Sequence, residues 1–237
     1  SRAENKRSTL AVVALCARLS RWLPMLMVSC SQRAKVVHAG VGYAAAKMQV
    51  IPNGFDLARF APNADARASV RAELGLPADA LLVGVVARFD VQKNHLGFVQ
   101  AAAQVLAQLP QVHFVLAGTG VDAANAALGS AIAAHPGLAA HMHLLGRCDD
   151  VPRLMAALDV LASPSHGEAF PLVVGEAMGC GVPCVVTDAG DSAAIVGSTG
   201  RVVAVADMAA LAQQLQAVLS LPATERAALG RLARQRV

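Results

Sequence analysis

The sequence predicts an α/β protein built on a doubly wound parallel sheet, and two observations carry that expectation. Of the 237 residues 55% are hydrophobic but only 3% aromatic, so the apolar mass is mostly Ala, Val and Leu, the composition of buried parallel strands layered against Ala-rich helices. From residue 81 onward, short apolar runs alternate with longer helical stretches, which is the order of a parallel sheet whose crossovers are helices. A chain of this length can bury a stable core without covalent staples.

Leu81 to Ala87 (LLVGVVA) is an unbroken apolar run of strand length, and His95 to Leu109 reads as a helix ended by Pro110. Val112 to Ala117 (VHFVLA) is the second strand, closed by Gly118-Thr119-Gly120 and followed by an Ala-rich helix to about Ala134. His141 to Leu145 is a third strand and Val151 to Leu158 a short helix; Val160 to Ala162 is a fourth strand that runs into a loop. A helix over Pro171 to Met178 starts on a proline, whose missing N–H costs nothing in the first turn. Pro183 to Val186 and Arg201 to Val205 are the fifth and sixth strands, and Met208 to Leu219 the next helix. The first fifty residues lie outside this rhythm: Pro24 to Cys30 reads as a strand, Gln32 to His38 as a helix, Met48 to Ile51 as another strand. The stretch PNGFDLARFAPN, Pro52 to Asn63, is rich in turn formers and placed like a linker. Residues 1–52 therefore read as the remnant of a preceding domain and residues 53–237 as one domain.

The formal net charge is +4. The basic residues are dispersed and aromatic stacking platforms are almost absent, which argues against nucleic acid and leaves phosphate groups, nucleotides or an anionic membrane surface as partners. The five cysteines are odd in number and form no C-x-x-C pair, against a disulfide framework or zinc site and for a reducing compartment. Leu10 to Ala17 resembles the apolar region of a leader, but it is short, is followed at once by Arg18 and Arg21, and leads to no A-x-A site. Phe98 to Val121 carries no formal charge, yet its glutamines, Pro110 and two glycines rule out a membrane span.

In open α/β sheets ligands bind beyond the C-terminal ends of the strands, near helix N-termini. The residues just after each strand are then Arg88 and Lys93, Gly118 and Gly120, Arg147, and the run Glu168 to Leu172, all converging on one cleft. Singly each is weak. Arg88 and Lys93 taken alone read as solvated charges, a G-x-G without its third glycine is usually a turn, His166 has no second histidine nearby, and Cys180 and Cys184 flank Gly-Val-Pro like packing residues. Together they are more specific. The helix starting at Pro171 turns its first amides, those of Leu172 and Val173, toward the cleft, where they attract an anion. Arg88 and Lys93 add two cations suited to a diphosphate. Glu176, about a turn and a half into the helix, can accept hydrogen bonds from a ribose diol, and Glu168 is left to hold something polyhydroxylated. A nucleoside diphosphate joined to a sugar supplies all of those groups.

EAFPLVVGE matches the E-x7-E motif of the retaining family-4 glycosyltransferases (glycosyl transferases group 1) of the GT-B fold; GEAMGCGVPCVVTDAGDSAAIVG resembles the segment after it, VIPNGFDLARFAP the interdomain linker, and GVVARFDVQKN the Arg/Lys donor site. The resemblance spans Val50 to about Leu219 in the correct order. It implies a Rossmann-like sheet that is the C-terminal, donor-binding half of a truncated GT-B fold. It also implies a catalytic set of Glu168 on the donor sugar with Arg88 and Lys93 on the diphosphate. Glu176 would meet the ribose, Phe170, Pro171, Leu172, Val173, Gly118 and Gly120 the donor, and Arg147 and Cys148 the base. An acid often precedes Ile195 in the family, and here the residue is Ala194. The acceptor-binding N-terminal domain is almost wholly missing, as is the helix that returns to it, so this fragment alone is expected to be inactive. The expected donor is UDP- or GDP-linked, the acceptor sugar- or lipid-linked, the pathway a cell-surface polysaccharide or glycolipid, and the place the cytoplasm, peripheral at the inner face of the membrane. No metal is expected, because Asp149-Asp150 lacks the D-x-D spacing. The rival readings are a nucleotide-sugar-binding module without turnover, or another GT-B enzyme such as a phosphorylase or epimerase.

Overall fold

The computed structural model describes residues 7–77 and 79–237. In chain order the elements are α1 (Arg7–Leu19), β1 (Met27–Ser29), α2 (Gln32–Gly40), β2 (Met48–Val50), α3 (Ala64–Glu73), β3 (Leu81–Val86), α4 (His95–Gln108), β4 (Val112–Ala117), α5 (Ala126–Ala133), β5 (Met142–Leu144), α6 (Val151–Ala157), β6 (Val160–Ser163), α7 (Leu172–Gly179), β7 (Cys184–Thr187), α8 (Ser192–Val196), β8 (Arg201–Val203), α9 (Met208–Leu219) and α10 (Ala223–Arg236). β1 and β2 pair by themselves, and the other strands form a six-stranded sheet in the order β5-β4-β3-β6-β7-β8. Every pairing is parallel. The chain thus builds outward from β3 in one direction, returns to lay β6 on the other side of β3, and builds outward again. Strand order reverses between β3 and β6, and such a switch point opens a crevice at the C-terminal strand ends. Pairing of β3 with β6 covers Val83↔Val160 and Gly84↔Leu161 and stops short of both strand ends.

The strand sequences are continuously apolar because helices cover both faces. Val83, Val85, Phe114, Leu116, Val160 and Val185 face a core shared with Phe98 of α4 and Leu211 and Leu215 of α9. Their alternates Leu82, Val115, Leu161, Cys184 and Val186 face a second core with Leu154 and Met155 of α6 and Met178 of α7. At the N-terminal end of the sheet, buried Asp159 accepts Leu82 N at 2.8 Å and pairs with Arg67 at 2.7 Å, Arg71 at 3.3 Å and Arg226 at 3.7 Å. One carboxylate therefore joins α3 and α10 to the start of β3 and β6.

Several expectations need adjustment. β4 coincides with its apolar run, and the other strands end one or two residues earlier or later than theirs. Pro171 is the N-cap of α7, with extended backbone (φ −74°, ψ 98°), rather than its first helical residue. β1 begins at Met27 rather than Pro24. The sequence assigns no helix to α1, α3, α8 or α10: α10 is held largely by its arginines and has little apolar periodicity, whereas α3 follows directly on the turn-rich linker and buries Ala66 and Val70. Residues 7–51 form α1, α2 and the small sheet, and they leave Trp22, Leu23 and Met25 at 67%, 73% and 96% exposure. Their tie to the large sheet includes Asp191, whose carboxylate accepts the backbone amides of Gln32 at 2.8 Å and Arg33 at 2.9 Å, at the N-terminus of α2. Among the described residues no helix is long and apolar enough to cross a membrane.

Two tests follow from this packing. Asp159→Ala leaves three guanidinium groups without their carboxylate, and removing one partner of a buried ion network costs about 3–5 kcal/mol; urea unfolding should show a loss of that size, and a change under about 1 kcal/mol would show the arginines to be held by backbone carbonyls alone. The second concerns His113 and His143, whose rings meet at 3.2 Å between Nδ1 and Nε2, with the His141 ring tilted against His113 at 4.6 Å between centroids. Burial, then the neighbouring histidines, hold both below the ordinary value of 6.5, and burial also lowers His95. The unfolded chain therefore takes up these protons first. Their contribution is complete above 6.5 and is lost as the pH falls from there through the lowered folded values. Denaturation midpoints should drop between about pH 7.5 and 5.5, and less so when His113 and His143 are both glutamine.

Candidate functional site

At the crevice, the turn after β3 is fastened to the loop after β6. Asp90 accepts Gln92 N at 2.8 Å and opens a short 3-10 turn, Val91–Lys93. Asn94 then takes a left-handed conformation (φ 53°, ψ 44°), and its carbonyl oxygen Oδ1 caps α4 by accepting Gly97 N at 3.1 Å. Its Nδ2 donates to Pro164 O at 3.2 Å, and His166 N donates to Gln92 O at 2.7 Å. Both bonds cross from one strand end to the other. They bring Lys93 Nζ to 2.5 Å from Glu168 Oε1, which also accepts Ser165 Oγ at 2.7 Å. The two side chains are 21% and 10% exposed. Sequence reasoning put Lys93 and Glu168 on different parts of a ligand; the fold makes them partners of each other.

Arg88 does not join this pair. Its side chain is 69% exposed and lies 3.3 Å from Asp90, and Arg147 is similarly open beside Asp149 at 3.0 Å. Both border a pocket of about 230 Å³ whose other walls include Ala87, Gly118, Thr119 and Cys148. The ends of β3 and β4 and the loop after β5 thus meet where the sequence placed them. Gly118 (φ 149°) is required by close approach, since a Cβ there would overlap Ala87 O. Gly120 (φ 76°) shapes the turn and packs on Phe89 rather than lining the pocket. Buried His95 reaches Ala87 O with Nε2 at 3.2 Å; a carbonyl only accepts, so the proton is on Nε2 and Nδ1 is left without a partner.

α7 closes the site. Pro171 supplies no side-chain cap, so the first amides of the helix, at Leu172 and Val173, are not satisfied by a capping side chain. Glu176 is half-buried and finds no hydrogen-bond donor among the described residues. Burial raises its pKa above the ordinary carboxylate value, opposed by the charge of Arg59. A carboxylate kept partly out of water without donors is poised for a ligand that brings some, such as vicinal hydroxyls. Among the described residues no group of three or more His, Cys, Asp or Glu side chains is arranged to hold a metal ion. Sequence reasoning missed Ser165, Asn94 and Gln92, which position the pair. Asn94 had a signal, as an N-cap residue three before Gly97 at a helix start; the other two had none.

Known proteins resemble this chain in sequence and in fold. A family model described as Glycosyl transferases group 1 matches residues 80–220. The Escherichia coli UDP-Gal:alpha-D-GlcNAc-diphosphoundecaprenol alpha-1,3-galactosyltransferase is 35% identical over 144 residues, covering 60% of this chain and 37% of that protein. The D-inositol 3-phosphate glycosyltransferase of Mycobacterium avium is 34% identical over 194 residues, covering 79% of this chain and 44% of that protein. The crystal structure of Anabaena HepE in complex with UDP and glucose superposes with a TM-score of 0.86 at 28% identity, over 99% of this chain and 63% of that one. The chain spans less than half the length of both curated relatives. The doubly wound sheet with its crevice at the β3/β6 reversal, and a family match over residues 80–220, place this chain in the glycosyl transferases group 1 family.

Proposed function

We propose that residues 53–237 are the donor-binding domain of an enzyme that moves a sugar from a nucleotide diphospho-sugar to an acceptor hydroxyl with retention at the anomeric carbon. The observation that carries this is the Lys93–Glu168 pair set beside the uncapped start of α7, with donor-less Glu176 further along the same helix. HepE, with UDP and glucose in its crystal structure, supports the same ligand class here.

In this reading the diphosphate takes Lys93 from Glu168. The ammonium and the amides of Leu172 and Val173 receive the phosphate oxygens, and exposed Arg88 swings from Asp90 to join them. Glu168, released from Lys93, accepts hydroxyl hydrogens of the sugar. Glu176 accepts those of the ribose, and the pocket at Gly118, Arg147 and Cys148 receives the base. During transfer the bond between the anomeric carbon and the β-phosphate oxygen breaks, its electron pair passing to that oxygen. The acceptor hydroxyl attacks from the same face and its proton passes to the departing phosphate. The fixed positive groups stabilise the charge that develops there without a metal. Residues 1–52 belong, in this reading, to the preceding acceptor domain, whose remainder would cover Trp22, Leu23 and Met25. The E. coli relative takes a diphosphoundecaprenol-linked sugar as acceptor, which supports a lipid-linked acceptor here and, with it, work at a membrane surface.

Calorimetry with UDP, GDP and UDP-glucose tests the donor site. One nucleoside diphosphate should bind, equally well with chelator present, and Lys93→Ala should weaken it about ten- to a hundredfold, the worth of one charge-assisted hydrogen bond. A folded chain that binds none of these ligands would sink the reading. Glu176→Gln separates site from scaffold. A carboxyl whose folded pKa is raised is most favourable when protonated and loses that advantage as the pH rises from the unfolded value through the folded one, so at neutral pH the Glu176 carboxyl opposes folding. The glutamine variant should melt higher than the parent while binding nucleotide about tenfold more weakly. A higher melting point with unchanged affinity would remove Glu176 from the site.

A further inference from the structure

We propose that Phe55, outside the nucleotide-sugar site, is a positioning residue through which the segment between the two sheets sets the geometry of the donor loop and α7. Its ring rests directly on the backbone of α7: a Cβ added at Gly175 would overlap the ring atoms of Phe55. The same ring stacks on Phe170, with centroids 5.9 Å apart and planes at 21°. Phe170 follows Glu168 by two residues, and Gly175 immediately precedes Glu176. One side chain thus touches both the loop that carries Glu168 and the helix that carries Glu176.

The contact continues along the helix. A Cβ at Gly179 would meet Phe60 O at 3.1 Å and Leu57 Cδ2 at 3.2 Å, so residues 55–60 lie on the side of α7 that carries Gly175 and Gly179. Arg234 of α10 fixes them there, donating to Leu57 O at 3.0 Å, to Phe60 O at 2.8 Å and to Gly179 O. On the other side of Phe55, residues 51–54 are exposed and lead back to β2. Phe55 is therefore the residue by which the connecting segment packs on α7, a link separate from the tie of Asp191 to Gln32 and Arg33. A rotation of the small sheet carried along residues 51–54 reaches the ring, and through it Phe170 and the start of α7. Glycine at 175 has a specific cause on this account: any side chain there would displace the ring.

The proposal rests on residues 168–176 being the donor site, and the experiment separates failure of that reading from failure of this one. Hydrogen exchange on the 237-residue chain is compared for the parent, Phe55→Leu, Phe55→Ala, Gly175→Ala and the double variant Phe55→Leu with Gly175→Ala, alongside calorimetry with UDP and UDP-glucose. In Phe55→Ala and Gly175→Ala the amides of residues 166–174 should exchange about tenfold faster while those of β3, β4 and β7 keep their protection. The extra affinity for UDP-glucose over UDP should fall in step, and the double variant should recover both. Protection at 166–174 unchanged in every variant, or lost equally across the sheet, would overturn the proposal. Local deprotection with recovery in the double variant upholds the positioning role even if neither ligand binds, an outcome that would count against the donor reading alone.

Discussion

The turn after β3 is docked on the loop after β6, and the geometry of the site depends on that docking. Two strand ends that neighbour each other in the sheet but are unpaired at their tips would ordinarily diverge. Here two hydrogen bonds cross the gap: Asn94 donates one to Pro164 O, and Gln92 O accepts one from the His166 amide. The short 3-10 turn ends at left-handed Asn94, and Lys93 projects from it toward the partner loop. Ser165 holds Glu168 from below. With both side chains mostly buried, each charge needs the other when no ligand is present, because an isolated buried ion is costly. A pair arranged this way can exchange an internal partner for a ligand's charge and hydroxyls with little reorganisation of the backbone.

Charge is distributed unevenly around the crevice, and the unevenness has a physical sense. Lys93 and Glu168 neutralise each other. Among the described residues Glu176 has neither donor nor ion pair, and burial works against its ionised form. Arg88 and Arg147 stand in solvent at the rim, held only by short-range aspartates, where ion pairs contribute little and are easily given up. The inner groups are fixed and the outer ones free to turn, an arrangement suited to closing on an anionic ligand. Such sites commonly cost stability where they serve binding.

The opposite end of the sheet carries the structural counterpart. Asp159 collects three arginines there. The arginines of α10 meanwhile donate to carbonyls at the ends of other helices: Arg226 to Leu219, Arg234 to Gly179 and Arg236 to Ala194 and Ile195. These satisfy carbonyls that a helix end leaves without an internal partner. α10 thereby holds α7 from its C-terminal end, while Phe55 and Phe170 hold it nearer the start. The position of the amides of Leu172 and Val173 follows from these fixings.

The sequence by itself determined the strands of the large sheet and their parallel arrangement, and it pointed to the C-terminal strand ends as the place of a candidate site. Each strand is an apolar run covered on both faces, and a run such as VHFVLA is a local property that needs no partner to be read. Arg88, Lys93, Glu168 and Glu176 were legible as candidates because strand ends and helix starts are local too. Only the tertiary structure decided that Lys93 meets Glu168, which is 75 positions away, that Arg88 stands apart from both, and that Phe55 fills the space left by Gly175. It alone revealed α3 and α10 as fixed parts of the domain, since arginines that reach distant carbonyls and one buried aspartate leave no periodic trace in the chain. Local patterns record what a residue does to its own backbone and burial. Pairings across long separations are set by which surfaces the folded sheet brings together.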